Sequence, residues 1–280
     1  MKKPLTIVLL FAAAVCLVLG CSQSAPTYLL KFNYVPGSTL DYEQIVKGTV
    51  VSREKDSMTA DRLNTVTTTI EFDVRRVVDD TTFEIVQKTS SKRHTENRLD
   101  STTVDTTETS PDMTMYIAPS GRVLDMEMGD GKEAEYATYW KEYFRQGTPV
   151  FPAQPVAVGH VWTQTFSVTV DGKPVNVSST YTITGVEKRQ GYECVAVGYT
   201  GKMVLPFDAA PSDSTRRRGV DRISNEGVMY FAYKDGFTVA QNEKWVLDGD
   251  RLKRRDGQDI AYTVHVVYDV TMDLKEIKKK

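Results

Sequence analysis

From Ile260 to Leu274 every second residue is apolar: Ile260, Tyr262, Val264, Val266, Tyr268, Val270, Met272 and Leu274. Alternation of this kind puts one face of a strand in a core and the other in water. Fifteen residues so arranged span roughly 50 Å, a length that belongs to a large, twisted and curved sheet. The same pattern recurs in Val66, Thr68, Ile70, Phe72 and Val74, and again in Trp162, Phe166, Val168 and Val170. Asp171-Gly172 then reads as a tight turn. Beyond it Val175, Val177, Tyr181 and Ile183 form the return strand. The expected fold is therefore mainly β: long antiparallel strands in a curved, half-barrel-like sheet.

One stretch changes period. Between Gly131 and Arg145, Tyr136, Tyr139, Trp140, Tyr143 and Phe144 recur at three and four residues, which predicts an amphipathic helix with an aromatic stripe. Gly147 and Pro149 end it. Such a stripe either lines a ligand pocket or packs on a sheet, and both readings stand. Short sequences match on either side of it. Phe83-Glu-Ile-Val86 resembles Tyr192-Glu-Cys-Val195, and Met115-Tyr-Ile-Ala118 with Gly121 resembles Met229-Tyr-Phe-Ala232 with Gly236. Pro36-Gly37 echoes Val158-Gly159 more loosely. The order is kept, which suggests a duplicated β unit: 28–130 first, a linking helix over 131–147, and 148–277 second. Residues 89–112 are rich in Ser, Thr and charge and read as an exposed hairpin or loop. Residues 206–222, with Pro206, Pro211 and Gly219, read as a long loop, and Lys278 to Lys280 as a frayed tail.

The first twenty residues form a separate unit. Lys2 and Lys3 precede an uncharged run from Leu5 to Leu19, too short to span a bilayer, which needs about 20 apolar residues. Val18-Leu-Gly-Cys21 resembles a bacterial lipobox, with Leu19 larger than that position usually carries. The resemblance implies cleavage before Cys21, lipid on Cys21 and a tether over 21–27. Ser22 after the cysteine is similar to the pattern sent to the outer membrane. Removing residues 1–20 takes Lys2 and Lys3, leaving 33 Lys and Arg against 37 Asp and Glu, a formal charge of −4. That balance gives no basic face for nucleic acid.

Chemistry is sparse. With Cys16 in the leader and Cys21 lipidated, Cys194 stands alone in an apolar run and reads as a buried thiol. His94, His160 and His265 lack metal-site spacing. Asp79-Asp80 and Asp248-Gly-Asp250 read as turn residues, because Asp bonds its local backbone. Arg216, Arg217 and Arg218 form either a weak anion site or a solvated run. No cofactor, metal site or catalytic constellation is expected.

The pattern Phe151-Pro-x-x-Pro-Val-x-Val-Gly-His-x-Trp162, then Tyr181 to Gly185, Gly191-Tyr-Glu-Cys194 and Gly201, with the Tyr28 to Tyr42 segment, resembles an uncharacterised family of bacterial β-rich lipoproteins. The long strands with a helix also look like the half-barrels of the lipoprotein-carrier superfamily. The family has no assigned activity to carry over, and the second likeness is one of architecture only. A curved sheet with one apolar face and an aromatic helix, on a lipid-anchored chain, gives the expectation of a membrane-anchored, non-enzymatic protein that binds an apolar ligand or lipidated partner. The alternatives are an envelope interaction protein without a small ligand and, third, a hydrolase with an unrecognised site.

Overall fold

The computed structural model describes residues 25–55, 57–79, 81–128, 149–170, 173–209, 217–255 and 257–279. The leader, Cys21 and the segment expected to be helical, with Tyr136, Tyr139, Trp140, Tyr143 and Phe144, lie outside the described residues, as does Arg216. No helix occurs among those described.

Two strands of two residues, β1 (Thr27–Tyr28) and β7 (Val156–Ala157), pair with each other. The rest form one antiparallel sheet. Its first meander is β2 (Ser38–Glu54), β3 (Ser57–Val78), β4 (Thr82–Asn97), β5 (Thr102–Ile117) and β6 (Val123–Met128). The second is β8 (Val161–Val170), β9 (Lys173–Arg189), β10 (Tyr192–Ala209), β11 (Arg217–Ala232) and β12 (Phe237–Arg255). The last strand, β13 (Gln258–Lys279), lies between β2 and β12, so the order is β6-β5-β4-β3-β2-β13-β12-β11-β10-β9-β8. β6 and β8 remain as edges, and the sheet is not closed into a barrel.

The alternation that predicts the strands also decides which face is buried. On β3, Ile70 and Val74 are buried, and on β13 Val264, Val266 and Leu274 are. Burial is uneven along the strands. The main core gathers at one end, here called the base, around the turns near 37, 79, 121, 159, 190 and 236. The opposite ends of the same strands form the rim.

Two crossing segments fill the base. Phe32 N–H donates to Pro119 O (2.7 Å), Phe151 N–H to Ser120 O (2.8 Å) and Asn33 N–H to Gly236 O (2.9 Å). These bonds set Phe32 and Phe151 against Phe231, with ring centroids 5.1 and 4.7 Å away. Burying an aromatic side chain of this size stabilises by about 1.5–3 kcal/mol. Gly121 sits where the segments cross, at φ +90°, and a Cβ there would meet Pro149 O at 2.5 Å. Only glycine fits both the conformation and the space.

Equivalent bonds recur in the two meanders. Gly37 N–H donates to Val74 O and Gly159 N–H to Ile183 O, each at 2.8 Å, and both glycines have positive φ. The matched sequences fall at equivalent places: Phe83 and Tyr192 lie at the starts of β4 and β10, second and first residue respectively, and Ile117 and Phe231 come at or near the ends of β5 and β11.

Several expectations are corrected. Asp248-Gly-Asp250 is not a turn but the middle of β12, where Asp248 meets His265 (2.7 Å) and Asp250 meets Arg222 (2.6 Å) across the ladders. Cross-strand cations answer the acids, and the hairpin turn comes later, at Gly257. Much of 206–222 is strand: Pro206 pairs with Val220 in the β10–β11 ladder. β10 pairs with β9 only as far as Met203, so Pro206 sits where one side of its strand is unpaired, a place proline tolerates. The tail is paired rather than frayed, since Lys278 and Lys279 face Thr39 and Ser38, and Lys278 reaches Asp41 (2.5 Å). Residues 89–112 take the hairpin reading as β4 and β5, with 101–112 all exposed.

Candidate functional site

Above the base the apolar face encloses a cavity of about 370 Å³, within the range of small-molecule sites. Both meanders line it. Phe72, Ile85 and Met115 come from the first, and Phe166, Met203 and Ile223 from the second. The sheet therefore curls far enough for its two halves to face one space. Near the rim Val175, Val177 and Met203 form a second apolar cluster with Phe166, Leu205 and Ile223 packed on it.

One wall is polar. On β12 the alternation that turns Trp245 to this face also turns Gln241 and Glu243 to it. Asn225 of β11 donates Nδ2–H to Glu243 Oε1 (2.6 Å). Gln241 Nε2 donates to Tyr199 Oη (2.7 Å) and more distantly to Glu243 Oε2 (3.4 Å). The side chains of Tyr199 and Trp245 also lie close enough to favour the charged Glu243 carboxyl. Burial raises the pKa of Glu243 above the usual carboxylate value, against the lowering effect of these donors. Burial likewise pushes up the phenols of Tyr181 and Tyr199, helped for both by the nearby Glu243 charge.

Two glycines make the wall. A Cβ on Gly227 would lie 2.6 Å from Tyr199 Oη, and one on Gly201 would lie 2.2 Å from Asn225 Oδ1. Each lets a polar side chain lie across the neighbouring strand. On the same face, closer to the rim, Arg251 holds Asp221 through two parallel bonds (2.8 and 2.6 Å), and a Cβ on Gly249 would crowd Asp221 Oδ1 at 2.6 Å.

The residues singled out from sequence are not brought together. His94 on β4 pairs with Asp105 (2.7 Å), His265 on β13 pairs with Asp248, and His160, just before β8, stacks on Trp162; β4, β8 and β13 are not neighbours. Among the described residues no cluster is arranged to hold a metal ion. Arg217 and Arg218 lie in β11 rather than a loop, and Arg218 is held by Asp259 (2.8 Å). Cys194 is fully buried, and burial raises its thiol pKa. The polar wall was not singled out. Its signal was nonetheless present: Gln241 and Glu243 stand at positions where Val239 and Trp245 make the register apolar.

No protein-family model matches the chain, and no curated protein matches it. Solved structures give distant likenesses. One is a protein assigned as exported, with a YmcC-like fold, from Bacteroides fragilis NCTC 9343, at 12% identity and TM-score 0.34, covering 91% of this chain and 100% of that one. Another is an outer membrane channel from Pseudomonas putida F1, at 9% identity and TM-score 0.28, covering 86% and 97%.

Proposed function

We propose that this protein is a lipid-anchored bacterial envelope protein with a non-enzymatic role, holding an apolar ligand or the lipid of a partner in the trough of its sheet. The observation that carries this reading is the cavity, apolar on most sides, shared by both meanders and furnished with one polar cluster. Apolar walls with few convergent polar groups are the usual form of a ligand site. The anchor rests on the lipobox-like Val18-Leu-Gly-Cys21, and an outer-membrane address on Ser22. We also read the equivalent base bonds of the meanders as the trace of a duplicated unit.

The chain from Ser22 onward, which holds every described residue, tests the cavity. N-phenyl-1-naphthylamine, an apolar fluorescent probe, should bind it saturably, and Ile223→Trp, which fills the cavity, should abolish binding without lowering the midpoint of unfolding. Absence of saturable binding by the parent protein would falsify the carrier reading and favour an interaction protein. Metabolic labelling with palmitate should mark the full chain and fail on Cys21→Ser.

A further inference from the structure

The polar wall indicates what kind of apolar molecule the cavity takes. A carboxyl group is among the costliest groups to bury without a cation. Glu243 is nevertheless set into the wall; among the described residues its hydrogen-bond partners, Asn225 and Gln241, are uncharged, and so are the neighbouring Tyr199 and Trp245. Other buried or half-buried acids on this face have a cation: Asp221 has Arg251, and Glu54 has Lys253 (2.6 Å). The donors around Glu243 hold its carboxyl in place and leave its charge unanswered. Tyr181, Tyr199 and Trp245 line the same cavity. Aromatic faces beside a carboxylate attract a cation by their quadrupoles, most strongly where water is excluded.

We infer that the cavity takes apolar molecules carrying an ammonium head, with the cation on the Glu243 carboxylate and the faces of Tyr199 and Trp245, and the apolar body against Phe166, Met203 and Ile223. This rests on the carrier reading above and adds a head-group preference to it. The titratable groups facing Glu243 are the phenols of Tyr181 and Tyr199, both held neutral by burial. Lys202 also lines the cavity but is exposed. A cation arriving at Glu243 stabilises the carboxylate, so binding releases a proton wherever the empty site holds one.

Calorimetric titration with three ten-carbon probes below micelle concentration separates the outcomes. Decyltrimethylammonium should bind at least about tenfold more tightly than 1-decanol, a difference of about 1.4 kcal/mol. Decanoate should bind most weakly. Glu243→Gln, an isosteric change, should erase the preference for the cation and keep the affinity for 1-decanol. The parent protein should also release protons on binding the cation, read as an enthalpy that changes with the ionisation enthalpy of the buffer. If 1-decanol matches the cation, or Glu243→Gln keeps the preference, the head-group inference is overturned and the cavity reading stands. If no probe binds, both fall together.

Discussion

Val74 and Ile183 hold the same place in the two meanders: each is wholly buried at the base and accepts an N–H from a positive-φ glycine. Toward the rim the likeness ends. The first meander continues into polar pairs, such as Thr68 with Ser91 (3.0 Å) and Thr95 with Asn64 (2.9 Å), and the β5 arm of its β4–β5 hairpin is exposed on both faces over 102–112. The second carries Val175, Val177 and Met203 at comparable height. Equal bases with unequal rims indicate that the base holds the fold together, while the second meander supplies most of the site. A sheet with one apolar face needs a cover only where that face is apolar, and the first rim is the more polar of the two.

The sharpest way to break this comparison is at the base. Phe231→Ala removes the ring that both crossing segments pack on, and should cost about 3–5 kcal/mol of unfolding free energy in denaturant titration. Ile183→Ala should cost about 2–5 kcal/mol, and Val74→Ala should be of similar size if the two bases are equally tight. A much smaller loss at Val74 would show that the first meander depends on the second. Nearer the rim, Asp221→Asn weakens both bonds from Arg251 and should cost about 2 kcal/mol, the order for charge-assisted hydrogen bonds. Asp105→Asn removes the charge of the exposed partner of His94 and should change stability by under about 0.5 kcal/mol.

The polar wall adds a pH test. The pKa of Glu243 is raised on folding, so the folded state binds its proton more tightly than the unfolded state does. Its contribution is therefore most favourable in acid and declines as pH rises from the ordinary glutamate value through the raised one. Glu54 and Glu193 are shifted down and work in the opposite sense. Those contributions are common to parent and Glu243→Gln, so the stability of the parent minus that of the variant should fall as pH rises. A flat difference would mean that Glu243 is solvated in the folded protein.

Period-two alternation made the strands legible because it records burial directly, and β13 is clearest because its long apolar face continues into a core. Reading failed where local chemistry and long-range pairing disagree. Asp-Gly-Asp at 248–250 has turn chemistry, yet His265 and Arg222 on adjoining strands make it strand. No local window contains those partners. Pro206 and Gly219 likewise punctuate a sequence that the ladder carries through. The site was legible only as a discord, two amide or acid residues in an apolar register, and its Asn225 and Tyr199 come from strands that only the topology brings alongside.

The place of β13 bears on the order of assembly. The last described strand, β13, lies at the middle of the sheet, between β2 and β12, so the seam between the meanders closes only after both of them have been synthesised. Until then two long strand margins stand open, each a template for adhesion to a neighbouring chain. A nascent molecule of this design is most vulnerable just before β13 joins, and loss of that strand would leave two sticky half-sheets rather than a slightly smaller one.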